Sequence, residues 1–100
     1  MKKQIFNDYA EAVAQQFHLT LDEMFTTSKR RDIVDARQVL YYLCIERQIK
    51  VSYIKRFLEP YNFKVEYSTI SHGFKRAKKL IEEDSDVKDM ILRILESNKA

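Results

Sequence analysis

The chain has 100 residues and a mass of 12.0 kDa, which suits one compact domain spanning 1–100 and excludes a multidomain enzyme. Hydrophobic residues make up 45% and charged residues 33%, so disorder is not the default, and the single Gly and single Pro argue against a hairpin-rich fold and for helix. The net charge of +3 is uneven, with −2 over residues 1–27, +8 over residues 28–80 and −3 over residues 81–100, a basic block between acidic ends that fits a polyanion partner.

Ile5, Phe6, Tyr9, Ala10, Val13 and Phe17 recur at steps of three and four and predict a first amphipathic helix. Thr20 and Glu23 have capping-box spacing, with Leu19 and Met24 placed as a hydrophobic staple, so a short second helix begins there. Thr26 to Arg31 is polar and reads as a basic loop. Beyond it Ile33, Ala36, Val39, Leu40, Leu43 and Cys44 form the buried stripe of a third helix reaching about residue 48.

Ser52 is placed to cap a fourth helix carrying Ile54, Phe57 and Leu58, and Pro60 is expected to stop it. After a connector of about six residues, Ile70, Phe74, Ala77 and Ile81 mark the apolar face of a fifth helix, with Thr69, His72, Lys75, Arg76 and Lys79 largely opposite. Ser68 and Thr69 have the chemistry of caps for its start. Gly73, costly by about 1 kcal/mol inside a helix, points to close helix packing. Asp84-Ser85-Asp86 breaks the pattern, and Val87, Ile91, Ile94 and Leu95 mark a sixth helix. The expected fold is all-α, a compact six-helix domain. Its fourth and fifth helices have the layout of a helix-turn-helix, whose second helix enters the major groove by its amino end.

The order of residues adds a resemblance. Val13-Ala14 with Phe17, the loop Ser28-Lys29-Arg30-Arg31, the step Ala36-Arg37-Gln38-Val39 and the run Tyr67-Ser68-Thr69-Ile70-Ser71-His72 together resemble the C-terminal DNA-binding domain of the bacterial replication initiator DnaA, over roughly residues 10–95. The resemblance implies minor-groove insertion by Arg30 or Arg31 beside Lys29, and a base or phosphate contact from Arg37 with Gln38. It also implies base and phosphate contacts from the run Glu66, Tyr67, Ser68 and Thr69. His72, Lys75 and Arg76 are expected as phosphate neighbours along the same helix. Two departures stand out: Glu66-Tyr67 replaces the family's Asp-His pair, and the connector before it is a few residues longer. The family's ATPase module lies outside these residues, so no nucleotide cofactor is implied.

Catalysis has no foothold, with no Gly-rich phosphate loop and no nucleophile beside a base. Lone Cys44 excludes an internal disulfide, and with only His18 and His72 beside it no zinc site is expected. No apolar run approaches a membrane span and the amino end lacks a signal-peptide core, so a cytoplasmic chain is expected. The expected function is sequence-preferring binding of double-stranded DNA in replication or transcription control, with no metal, cofactor or small-molecule substrate and with replication or transcription proteins as further partners. The rival expectation is an adaptor that kept the fold, binds a protein and lost specific DNA reading.

Overall fold

The computed structural model describes residues 1–97. Among the described residues six α-helices follow one another: α1 (Lys2–Gln16), α2 (Leu21–Met24), α3 (Arg31–Glu46), α4 (Val51–Leu58), α5 (Tyr67–Glu83) and α6 (Ser85–Ser97). A 3-10 turn at Glu59–Tyr61 follows α4, and no strand occurs among the described residues. The apolar stripes meet in one core, in which Phe6, Val13, Met24, Val39, Leu40, Ile54, Leu58 and Ile70 are fully buried.

Helix ends are fixed by local chemistry. The Glu23 amide donates to Thr20 Oγ1 at 3.1 Å and the Thr20 amide donates to Glu23 Oε1 at 2.8 Å, the reciprocal pair expected of a capping box. Asp84 caps α6, its Oδ1 accepting from the amides of Asp86 at 2.9 Å and Val87 at 3.3 Å. With one glycine in the chain, His18, Gln48 and Asn62 take the left-handed turns at φ 58°, 66° and 56°. After α1 and α3 these turns send the amides of Leu19 and Ile49 back to the carbonyls of Ala14 and Cys44, at 2.8 and 2.9 Å, which closes the open helix ends.

Three expectations need correction, and a fourth holds by a different route. Ser52 does not cap α4: the helix already begins at Val51 behind an extended Lys50, because the turn at Gln48 buries Ile49 and aims the chain directly into the helix. α4 does end just before Pro60, at Leu58, but not through an extended residue ahead of the proline. Glu59 is right-handed helical, at φ −56° and ψ −43°, and the chain tightens into the 3-10 turn that holds the proline. Ser68 and Thr69 lie inside the first turn of α5, since Glu66 occupies the capping position and no side chain bonds there. Leu95 is off the buried face of α6, which is formed by Ile91 and Ile94 with Val87 and Met90 at its margin. Gly73, in contrast, is buried where helices pack, as its sequence context suggests.

Candidate nucleic-acid interface

The interface rests on the contact of α3 with α5. A Cβ at Gly73 would lie 2.7 Å from Tyr41 Cδ2 and 3.3 Å from Gln38 Cγ, so only glycine admits this approach without displacement. Tyr42 and Phe74 stack beside it with centroids 5.6 Å apart, and burial pushes the Tyr41 hydroxyl up to about 12. The close contact lays the stem of Gln38 against α5, and Gln38 then lines an open polar groove with Arg31, Arg76 and Lys79. Arg31 and Gln38, two turns apart on α3, thereby share one surface with Arg76 of α5.

The start of α5 is open. Glu66 is extended, at φ −78° and ψ 152°, and its carbonyl accepts from the amides of Thr69 and Ile70 at 3.1 and 3.2 Å. Uncapped first-turn amides carry the positive end of the helix dipole and suit an anion. Ser68 and Thr69 expose their hydroxyls on this turn, and His72, Lys75 and Arg76 continue the exposed face. Tyr67 is 55% exposed, and the Lys55 ammonium of α4 lies 4.7 Å from its ring centroid. This cation–π contact holds the ring at the mouth of the helix. The Lys55 contact carries no local sequence signal, because its partner is twelve residues away on another helix.

The basic loop is ordered by different means. Ser28 Oγ accepts from the Arg30 amide at 3.1 Å, and Asp32 Oδ1 accepts from the Ile33 amide at 2.9 Å. The Arg30 guanidinium grips Asp32 with two bonds of 2.8 and 3.0 Å, which holds the Asp32 carboxyl below its ordinary range. Arg31 pairs with Asp35 at 3.5 Å. Burial raises the Asp35 carboxyl despite the neighbouring Arg31 and Arg76 charges. Lys29 is exposed and makes no ion pair among the described residues. It is the loop cation most readily offered to a groove.

Arg37, for which the resemblance implies a base or phosphate contact, is placed differently from the exposed residues of α5. Its guanidinium is turned inward, donating from Nη1 to the carbonyls of Met24 at 3.2 Å and of Thr26, and from Nη2 to that of Ser28 at 3.1 Å. The same group lies 5.3 Å over the ring of Phe63, a connector residue that sequence reasoning did not single out. Desolvation lowers the affinity of the Arg37 guanidinium for its proton relative to an ordinary exposed arginine, and the group stays charged.

A short helix, a connector over residues 59–66 that opens on a 3-10 turn, and a longer helix packed on a third, with its amino end and cationic face open, define a helix-turn-helix domain of the DNA-binding class. The family model of the bacterial dnaA protein helix-turn-helix matches residues 7–77, and the chain belongs to that family. DNA binding is the general function of this family, which is not an enzyme class. The match ends within α5, so the close of that helix and the whole of α6 lie beyond it. No solved structure matches the chain. No helix among the described residues is long and apolar enough to cross a membrane.

Proposed function

We propose that the chain binds double-stranded DNA with sequence preference, seating the amino end of α5 in the major groove and the loop around Lys29 in the minor groove. Base-directed contacts come from Gln38, Glu66, Tyr67, Ser68 and Thr69. His72, Lys75, Arg76 and the loop residues Lys29, Arg30 and Arg31 supply phosphate and minor-groove contacts. The observation that carries this reading is the uncapped, exposed first turn of α5 set among cations within a block of net charge +8. Phosphate contacts position such a domain and base contacts specify its site. Replication or transcription control is the process this activity serves, with proteins of that machinery as further partners and the cytoplasm as its place.

One observation favours a second reading, that of a protein-binding adaptor. Leu92 and Leu95 of α6 are 53% and 43% exposed, one helical turn apart and outside the family match. An exposed apolar pair in an acidic terminal segment suits a protein partner better than a phosphate backbone. Selection of bound duplexes from a random pool separates the two. Enrichment of one motif supports the DNA reader, and flat enrichment supports the adaptor.

A further inference from the structure

We infer that Arg37 is a positioning residue, a latch that sets the minor-groove loop at a fixed place relative to the amino end of α5, rather than a side chain that touches DNA. The inference rests on the DNA-reading function proposed above, and it goes against the base or phosphate contact implied for Arg37 by family resemblance.

The geometry of one guanidinium carries it. Arg37 stands in the second turn of α3, below the loop, and its two terminal nitrogens bond the carbonyls of Met24, Thr26 and Ser28. These carbonyls run from the end of α2 to the residue before Lys29, so one side chain gathers the whole descending arm of the loop. A planar fork with several fixed donors can hold divergent acceptors in this way, whereas a lysine ammonium on a flexible stem cannot reproduce the geometry. The loop has no regular secondary structure and no disulfide to fix it, so its shape depends on such bonds.

The face of the same guanidinium meets the connector that leads into α5. Phe63, 8% exposed, lies under it at 5.3 Å and sits four residues before the start of α5. Phe63 also packs against Phe25, centroids 6.3 Å apart, where the loop leaves α2. Arg37 is therefore the point at which the loop and the connector meet. In duplex DNA the minor-groove and major-groove elements must reach sites at a set separation. Holding both from one rigid helix lowers the ordering cost of binding. A guanidinium engaged by three carbonyls on one side and a ring on its face is already committed, and reaching a base would mean giving up all these contacts.

The test uses Arg37→Lys, which keeps the charge and the number of tryptic sites, with Phe63→Leu as a second variant that keeps the guanidinium and removes its ring. Trypsin under native conditions, with cuts mapped by mass, reports the loop without DNA. Cleavage at Lys29, Arg30 and Arg31 should quicken by about tenfold in Arg37→Lys at a temperature where the melt shows the variant folded. The second readout is binding to the selected duplex carrying 2,6-diaminopurine for adenine, which alters only the minor groove, or 7-deazaguanine for guanine, which removes a major-groove acceptor. The parent should respond to both. Arg37→Lys should lose the diaminopurine response, keep the 7-deazaguanine response and bind about tenfold more weakly.

An unchanged cleavage rate overturns the latch. Loss of the 7-deazaguanine response with the diaminopurine response intact shows Arg37 to be a base contact and overturns the inference. A parent with no duplex preference overturns both the proposed function and the positioning role, while the cleavage result still reports whether the latch exists. Should Arg37→Lys fail to fold, Phe63→Leu decides: faster loop cleavage with loss of the diaminopurine response supports the inference, and parental behaviour in both overturns it.

Discussion

The two elements that face outward near α3, the basic loop and the first turn of α5, are built on opposite plans. In the loop the backbone is tied from below: Arg37 holds three carbonyls, Ser28 and Asp32 satisfy amides, and Arg30 is paired with Asp32. At the start of α5 nothing caps the helix, Tyr67 stands 55% exposed, and Ser68 and Thr69 present their hydroxyls to solvent. A loop without helical hydrogen bonds must be pre-organised from outside to present cations at a fixed place. A helix is already rigid, and leaving its end unsatisfied keeps donors for a ligand. Under the proposed function, positioning falls to the first element and specification to the second.

The largest effect expected is on affinity as a whole. If the cations of both elements meet phosphates, about six contacts should cost about a thousandfold in duplex affinity between about 50 and about 200 mM salt. A fluorescence titration over that range checks this, and a flat response removes the polyanion partner on which the contrast depends.

The next effect concerns the open element alone. Glu66-Tyr67 stands where the family has Asp-His, and a longer carboxylate and a bulkier ring reach different base edges. The chain should discriminate poorly between a DnaA box and a scrambled duplex. Glu66→Asp with Tyr67→His should shift preference toward the box by about 1–3 kcal/mol. Competition binding on both proteins measures it, and a parent that already favours the box many-fold shows the replacement to be neutral.

The frame under both elements is tested by Gly73→Ala. A Cβ placed 2.7 Å from the buried Tyr41 ring should cost about 1–3 kcal/mol in overpacking, against about 1 kcal/mol recovered by removing a helix glycine. A net loss of about 1 kcal/mol is expected in denaturant unfolding, with weakened duplex binding because Gln38 and α5 move apart. A gain in stability would mean that the helices can separate without strain.

The smallest effect lies far from the interface. Gln48, left-handed at φ 66°, should accept glycine with a gain of up to about 1 kcal/mol, and with unchanged duplex affinity. A thermal melt beside a binding curve checks both halves.

What could be read from the sequence divides along physical lines. The stripes of α1, α3 and α5, the capping box at Thr20 and Glu23 and the packing role of Gly73 depend on residues a turn or two apart, and the structure has them as expected. The inward turn of Arg37 depends on backbone carbonyls nine to thirteen residues away, and a carbonyl has no residue identity to recognise. Ser52, Ser68 and Thr69 have capping chemistry, but tertiary packing starts each helix a residue or two earlier. Leu95 obeys the helical period, and only the position of the neighbouring helices decides that Met90 takes the margin of the core instead. At the candidate interface, residue types were legible, and the inward direction of Arg37 was not.

The division of labour itself is most directly tested by one ratio, the affinity for the selected duplex over that for a scrambled one, measured for the parent and for Tyr67→Ala with Thr69→Ala. Both residues are exposed, so the melt should change by less than about 0.5 kcal/mol per site. The account predicts that the ratio collapses toward one while affinity for the scrambled duplex is retained within a few-fold, because the latched loop and the cations still position the chain. A double variant that keeps the parental ratio would contradict it, showing that the open end of α5 does not specify the site.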